Sequence, residues 1–508
     1  MNRAGAHLFS FVTLILLSLP AAPEAFLREP TPAVASMRDD ILGLFDAEWD
    51  ADAQMLGRGN SHSTRGTMFY SASLLIRDRP EDRDRAIRGI RRVIDLQYDA
   101  EGLPWHGTYR RNEHEADPSV PGARIWENYD PNWREFISLV QIVLLEGRGD
   151  RLPEELKSAL YRNIRRACEG AFDRRVRYSY TNIALMSAYL LAWGGKTFDT
   201  PAWLAYGEEL AEDLYRDYRR QHTFQEHNSP TYYGVDFLAL ALWRGLPPVP
   251  EFETWGTALE RDLWREVGQR FHAGLGNLCG PFDRSYGMDM RAYWSIAGEM
   301  IAIATGQTDA IPDIRTGTAQ KHDAIYLPLM ASMGVHAPED VLPHLVSFQG
   351  ARRVNVSIED VGPLRASYSW LTADFMVGVE TVEKVTPHRE QFHPFTIHWR
   401  DPDNDKAVNW MKLRWPAPII VRLEGDTVIL ERGPDRRDGV SNSTILVHAG
   451  NTEPVDIATG SWKLPGLAIQ ADLPGPSPDV QQKANMLHLT WDLTAMHPGD
   501  VFLRLTLP

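Results

Sequence analysis

Apolar residues recur every three or four positions from residue 37 to about residue 306, the period of amphipathic helix, and every two positions after about residue 320. The first region predicts helices in pairs: Met37–Met55 with Ser63–Ile76, Asp82–Tyr98 with Pro131–Leu145, Pro153–Phe172 with Asn182–Trp193, Ala202–Arg219 with Pro230–Trp243, and Thr254–Phe271 with Met288–Ala304. The partners differ in character. The first is charged along one face, as with Glu208, Glu209, Glu212, Asp213, Arg216, Asp217 and Arg219, whereas the second is smaller and more apolar, as from Asn182 to Ala192. A helix charged on one side suits an outer layer against water, and one apolar on most sides suits an inner layer. The alternation predicts an (α/α) toroid of paired helices over 26–310.

The second region predicts strands at Arg353–Ile358, Arg365–Trp370, Phe375–Glu380, Phe395–Arg400, Ala417–Leu423, Thr427–Glu431, Thr444–His448, Met486–Asp492 and Val501–Thr506. Gly, Pro, Asn and Asp separate them, which is the pattern of an antiparallel β-sandwich domain, here over 346–508. The proline-bearing stretch 311–345 reads as a linker.

At the N-terminus, Arg3 precedes an apolar run from Leu8 to Leu19, and small residues follow to Ala25. The run falls short of the roughly twenty residues a membrane span requires. It predicts a cleaved signal peptide over 1–25, hence a secreted or periplasmic protein with no membrane segment after cleavage. A net charge of −15, from 53 basic and 68 acidic residues, argues against a nucleic-acid partner. It leaves an anionic sugar open, because a site can be locally basic in an acidic protein. Cys168 and Cys279 occupy no metal or redox spacing, and a disulfide and two free thiols both remain open. With no phosphate-binding or dinucleotide glycine motif and no zinc spacing, neither a cofactor nor a metal is expected.

The polar residues are unevenly placed. They gather just before the second helix of each pair, in segments 58–65, 126–134, 178–182, 224–233 and 280–289. In a toroid the inner helices run the same way, so these segments would meet at one mouth, where helix N-termini favour negative charge. Capping accounts for pairs such as Ser229-Pro230. It does not account for Glu226, His227, Asn228, Tyr232 and Tyr233 within eight positions.

On the paired helices, the His227-Asn228 and Tyr232-Tyr233 cluster and the Arg284-Ser285-Tyr286 run, the chain resembles polysaccharide lyases of the alginate, chondroitin and heparinase II/III type. The resemblance covers most of the chain as an architecture. It implies a polysaccharide or oligosaccharide substrate and β-elimination at a uronic acid, with Asn, His, Tyr and Arg at the toroid mouth. Such a reaction must neutralise the uronate carboxylate, remove the C5 proton and protonate the leaving oxygen. Asn228 and Arg284 are candidates for the carboxylate, His227 for the base, and Tyr232 or Tyr233 for the proton donor or for both base and acid. Tyr286 joins them as a catalytic candidate, and Trp105 and Trp133 are candidates for stacking on sugar rings. His62, His106, Asn132 and Asn182 are further candidates for the same mouth. Glu226 and Asp289 depart from the lyase pattern. With Glu127 and Asp130 they supply the carboxyl pair that a glycoside hydrolase would need instead. A non-catalytic glycan-binding protein is the third reading. In the β region, His393 and His398 stand five apart, an odd separation that in a regular strand puts them on opposite faces and argues against a shared metal.

Overall fold

The computed structural model describes residues 26–508 except 60, 316–320, 360–364, 382–389, 415–418, 435–440, 451–455 and 459. The expected signal peptide therefore lies outside the described residues. A helical part comes first and an antiparallel β part follows. Among the described residues the helical part holds α1 (Pro32–Asp46), α2 (Thr64–Arg77), α3 (Asp82–Ile94), α4 (Trp133–Arg148), α5 (Glu154–Arg174), α6 (Thr181–Thr197), α7 (Pro201–Gln221), α8 (Tyr232–Gly245), α9 (Pro250–Arg270), α10 (Ile296–Thr305), α11 (Tyr326–Met333) and α12 (Leu342–Val346).

The alternation in the sequence becomes two layers. Helices α2, α4, α6, α8 and α10 touch in that order, and α11 touches both α10 and α2, so the inner layer closes on itself. Burial follows from this placement. Every residue of α6 from Thr181 to Gly195 is buried, whereas α7 buries only the stripe that includes Trp203, Gly207, Leu210 and Leu214. Helices α1, α3, α5, α7, α9 and α12 lie outside, each against one or two inner helices.

Three expectations need correction. The stretch 311–345 is not a plain linker, because α11 within it is wholly buried and supplies the helix that seals the ring. Its eight residues are all buried and, apart from Tyr326 and Ser332, apolar, so they carry no period from which a helix could be read. Pro328 falls in the first turn, where a missing N–H costs no helical bond. The first helix ends at Asp46 rather than Met55, and short antiparallel ladders joining 49–50, 55–58 and 61–62 follow it. Helix α10 begins at Ile296, capped by Ser295, and leaves 279–295 as a loop that is largely buried.

Among the described residues the β part forms two antiparallel sheets. One has eight strands in the order Asp479–Lys483, Met486–Asp492, Asn442–His448, Val408–Arg414, Phe395–Arg400, Phe375–Thr381, Arg365–Leu371 and Arg352–Ile358. The other has six, among them Ile419–Glu424, Thr427–Arg432, Val501–Thr506 and Leu467–Asp472. Val377, Ile397, Trp399, Met411 and Val447 of the first sheet share one apolar core with Val421, Leu430, Ile469 and Leu503 of the second.

The opposite face of the eight-stranded sheet carries the helical part. The strand Phe375–Thr381 is buried on both faces as a result, and its burial shows no alternation. At Gly378 the approach is backbone to backbone, and a Cβ there would stand 2.0 Å from the carbonyl carbon of Gly280. His393 precedes the regular strand that starts at Phe395, so the opposite-face argument does not govern it. His393 Nε2 donates to the Ser285 carbonyl at 3.1 Å and His398 Nε2 to the Met288 carbonyl at 2.9 Å. Burial lowers both imidazole pKa values, that of His398 to about 4, so each acts as a neutral donor clamping the 279–295 loop. Cys168 and Cys279 are both buried free thiols.

The Gly378 contact yields a stability expectation. Gly378→Ala should force sheet and loop apart and cost about 1–3 kcal/mol, as overpacking of a filled site does. Chemical unfolding followed by circular dichroism reads this directly, and an unshifted midpoint would show that the two parts have slack where they meet.

Candidate active site

The starts of four inner helices converge on one cleft of about 690 Å³. Arg65 comes from the first turn of α2, Asn132, Trp133 and Phe136 from the start of α4, and Tyr180 and Asn182 from the start of α6. Glu226 and Tyr232 come from the start of α8, while the 279–295 loop adds Asp283, Arg284 and Tyr286. The β part reaches in with Arg365 and Gln391, so the cleft belongs to both parts of the chain.

At its centre is a chain of short polar contacts. The Arg284 guanidinium donates to Glu226 Oε1 (2.6 Å), to the Tyr232 hydroxyl (2.7 Å) and to Gln391 Oε1 (2.8 Å). Glu226 Oε2 accepts from the Asn182 backbone N–H (3.1 Å) and from Asn182 Nδ2 (2.5 Å). The Tyr232 and Tyr286 hydroxyls are 2.8 Å apart, and Tyr286 is 41% exposed, so the chain runs from a buried carboxylate to the open cleft. Burial alone would lower the Arg284 pKa, but Glu226, Tyr232 and Tyr180 outweigh it and hold the guanidinium charged. Burial raises the Tyr232 pKa well above that of a free phenol, and Arg284, 3.7 Å over its ring, opposes the rise.

The walls have their own chemistry. Arg65 lies 5.7 Å from the Trp133 ring centre and 5.2 Å from that of Phe136. Its ion pair with Asp323 is long, at 3.4 Å. Burial opposes its charge, yet Tyr326, Asp323 and other neighbours keep its pKa above the ordinary value. Trp126 is 55% exposed and holds a left-handed backbone at φ +64°, a conformation that costs a non-glycine residue about 1–2 kcal/mol. Asn132 Nδ2 donates to the Tyr180 hydroxyl (2.9 Å), and the buried side-chain oxygens of Asn132 and Asn182 have no donor among the described residues. Burial raises the Asp130 carboxyl, and it pushes Asp283 up to about 7 against the opposing pull of Arg365.

Of the residues proposed from sequence, Asn132, Trp133, Asn182, Glu226, Tyr232, Arg284 and Tyr286 line this cleft together. The others lie elsewhere. His227 is fully buried: Nδ1 contacts Thr223 Oγ1 (2.8 Å) and Glu266 Oε1 (3.1 Å), and Nε2 contacts Ser367 Oγ (2.9 Å). Burial and then Arg270 lower its pKa, and both nitrogens are engaged, so it is placed as a strut between ring and sheet rather than as a base at the cleft. Asn228, at φ +45°, spends Nδ2 on the carbonyls of Cys279 and Pro281, both at 2.7 Å, and cannot also serve a substrate carboxylate. The Tyr233 hydroxyl donates to Glu266 Oε1 at 2.6 Å and is fully buried.

His62 is held between Asp50 and Glu113, and His106 contacts Glu169 Oε2 at 2.9 Å. Trp105 is buried against Tyr98 and Tyr129. Asp289 accepts from Asn277 Nδ2 (3.1 Å), just before its loop, and from the Arg291 N–H (2.9 Å) within it. Arg65, Tyr180 and Trp126 stood in the polar segments before inner helices, so position alone could have nominated them. Arg365 and Gln391 had no such signal, because they reach the cleft through the docking of the sheet.

Several solved structures are similar to this chain. Heparinase III matches with a TM-score of 0.44 and 11% identity over 94% of this chain and 85% of its own. A chondroitin AC lyase from Streptomyces coelicolor A3 matches with a TM-score of 0.45 and 10% identity over 94% of this chain and 79% of its own. An endoglucanase from Clostridium thermocellum matches with a TM-score of 0.25 and 10% identity over 94% of this chain and 92% of its own. A search of curated proteins returns no match. The profile described as "Domain of unknown function (DUF8769)" matches residues 35–334, more than half of the chain, and this protein therefore belongs to that family.

Proposed function

We propose that this protein is a secreted polysaccharide lyase that cleaves a uronic-acid-containing glycan by β-elimination. In this reading the two helical layers form an (α/α) toroid, the two sheets a β-sandwich docked beside its mouth, and residues 1–25 a signal peptide. The observation that carries the proposal is the hydrogen-bonded run Glu226–Arg284–Tyr232–Tyr286, which presents phenols backed by a guanidinium to an aromatic-walled cleft.

The chemistry follows from those groups. Tyr286, as phenolate accepting a hydrogen bond from Tyr232, removes the C5 proton, and the C5–H electrons form the C4=C5 double bond. The C4–O bond breaks, and the leaving oxygen takes the proton of Tyr232, which burial keeps on the phenol. The Tyr232–Tyr286 hydrogen bond then returns a proton from Tyr286 to Tyr232. Arg65 pairs with the uronate carboxylate and so makes C5–H more acidic. Trp133 and Trp126 carry the sugar faces.

Glycoside hydrolysis remains a second reading on one specific observation: Asp130 and Asp283 line the same cleft with carboxyls raised by burial, as a general acid requires. Glu226 is a poor member of such a pair, since both its oxygens are engaged. A panel of alginate, polygalacturonate, hyaluronan and heparosan, with xylan as a neutral chain, separates the readings. New reducing ends accompanied by ultraviolet absorbance of the double bond support elimination. Reducing ends alone support hydrolysis, and binding without cleavage supports a glycan-binding protein.

The site residues should divide by phenotype. Tyr232→Phe should lower kcat by roughly 10²–10⁴-fold, the usual worth of a positioned acid–base group, with circular dichroism unchanged. Arg65→Gln should lower kcat as well as raise KM on uronate substrates, because the C5 proton loses the group that makes it acidic. His227→Ala should behave oppositely to Tyr232→Phe. It takes the imidazole away from Glu266, Thr223 and Ser367 and should cost about 1–3 kcal/mol of stability, while the folded fraction stays active. A fully active Tyr232→Phe enzyme would falsify the tyrosine mechanism, and a stable but inactive His227→Ala protein would return the imidazole to the chemistry.

A further inference from the structure

The cleft does not end at the α5–α6 loop. Ser179 lines it and also lines a second depression of about 410 Å³ on the far side of that loop. The neighbouring residues divide between the two spaces, with Tyr180 lining the cleft and Tyr178 the depression. One small side chain thus forms a low sill with a phenol on either side.

The far wall is α7, which contributes Tyr206 and, four positions apart on one helix face, the exposed carboxylates Glu209 and Asp213. The near wall is the loop itself, which contributes the exposed guanidinium of Arg177. Arg175, in left-handed backbone at φ +51°, lays its guanidinium 3.8 Å from the Phe172 ring centre and 4.2 Å from that of Tyr206. These groups suit a sugar ring. Carboxylates accept from vicinal hydroxyls, and a guanidinium donates to a ring oxygen or a uronate.

The geometry points to a distal sugar-binding subsite in this groove, occupied by the part of an acidic glycan chain that leaves the cleft across Ser179. The inference rests on the cleavage reading above and extends it to chain length. A substrate that fills both spaces is bound along its interior, so longer chains gain contacts that short ones cannot reach.

Arg177→Ala combined with Asp213→Ala tests the groove, because both side chains are exposed and their removal should leave folding intact by circular dichroism. The measurement is kcat/KM on tetrasaccharides and decasaccharides of whichever panel polysaccharide the protein cleaves. The decasaccharide-to-tetrasaccharide ratio should fall roughly tenfold, the worth of one or two lost hydrogen bonds, with the change carried by KM. Glu209→Trp, which fills the groove, should move the ratio in the same direction. An unchanged ratio, or an equal fall for both lengths, overturns the subsite and leaves the cleavage reading standing. If the wild-type protein cleaves no panel member, the cleavage reading fails on its own account. Calorimetric titration with polygalacturonate decasaccharides then decides the groove: weaker binding by the double variant supports it, and equal or absent binding overturns it.

Discussion

Arg284 spends its donors on three separate parts of the chain. One goes to Glu226 ahead of α8, one to Tyr232 within α8, and one to Gln391 from the β part. Glu226 in turn is anchored by the first turn of α6 through Asn182. Two inner helices, a buried loop and the docked sheet therefore share one buried ion pair. Removing one partner of such a pair strands the other charge, at a cost of about 3–5 kcal/mol. The same pair fixes the orientation of the Tyr232 phenol, so local stability and the geometry of the cleft have a common origin.

Beneath the cleft floor a second polar network does different work. Glu266 receives hydrogen bonds from Thr223 and Tyr233 and lies beside His227 and Arg270. Burial would raise its pKa, but these neighbours hold it below the ordinary carboxylate range. His227 continues the network into the strand Arg365–Leu371 through Ser367, and in the same strand Arg365 pairs with Glu380 (2.6 Å) and Asp283 (2.8 Å). The seam between ring and sheet is thus held by buried charges and neutral donors that pair with one another across it, although among the described residues Glu266 Oε2, Glu380 Oε2 and the Arg270 guanidinium nitrogens have no hydrogen-bond partner.

The helix pairs and the strands were legible because burial on one side writes a period into the sequence, as in α7 and in the strand Arg365–Leu371. Burial on all sides erases it, which is why α11 was read as part of a linker. The same physics governed the site. Position before an inner helix singled out Asn132, Asn182, Tyr232 and Arg284, which line one cleft together. It could not separate Tyr232 from Tyr233, because adjacent residues at a helix start point about 100° apart, one into the cleft and one into the core. Nor could it show that His227 and Asn228 would be consumed by partners as distant in sequence as Ser367 and Pro281.

Ring closure by α11 also constrains the order in which this chain can become a protein. The flank of α2 that meets α11 stays uncovered until the residues up to Met333 have been made, and contacts of that sequence separation form slowly. The cleft is finished later still, since Arg365 and Gln391 arrive with the sheet. A growing chain therefore passes through a long interval as an open crescent with an apolar edge, the kind of surface that invites aggregation unless it is shielded. The architecture ties the birth of the site to the end of synthesis: the ring is sealed and its mouth completed by segments that emerge after nearly all of its walls.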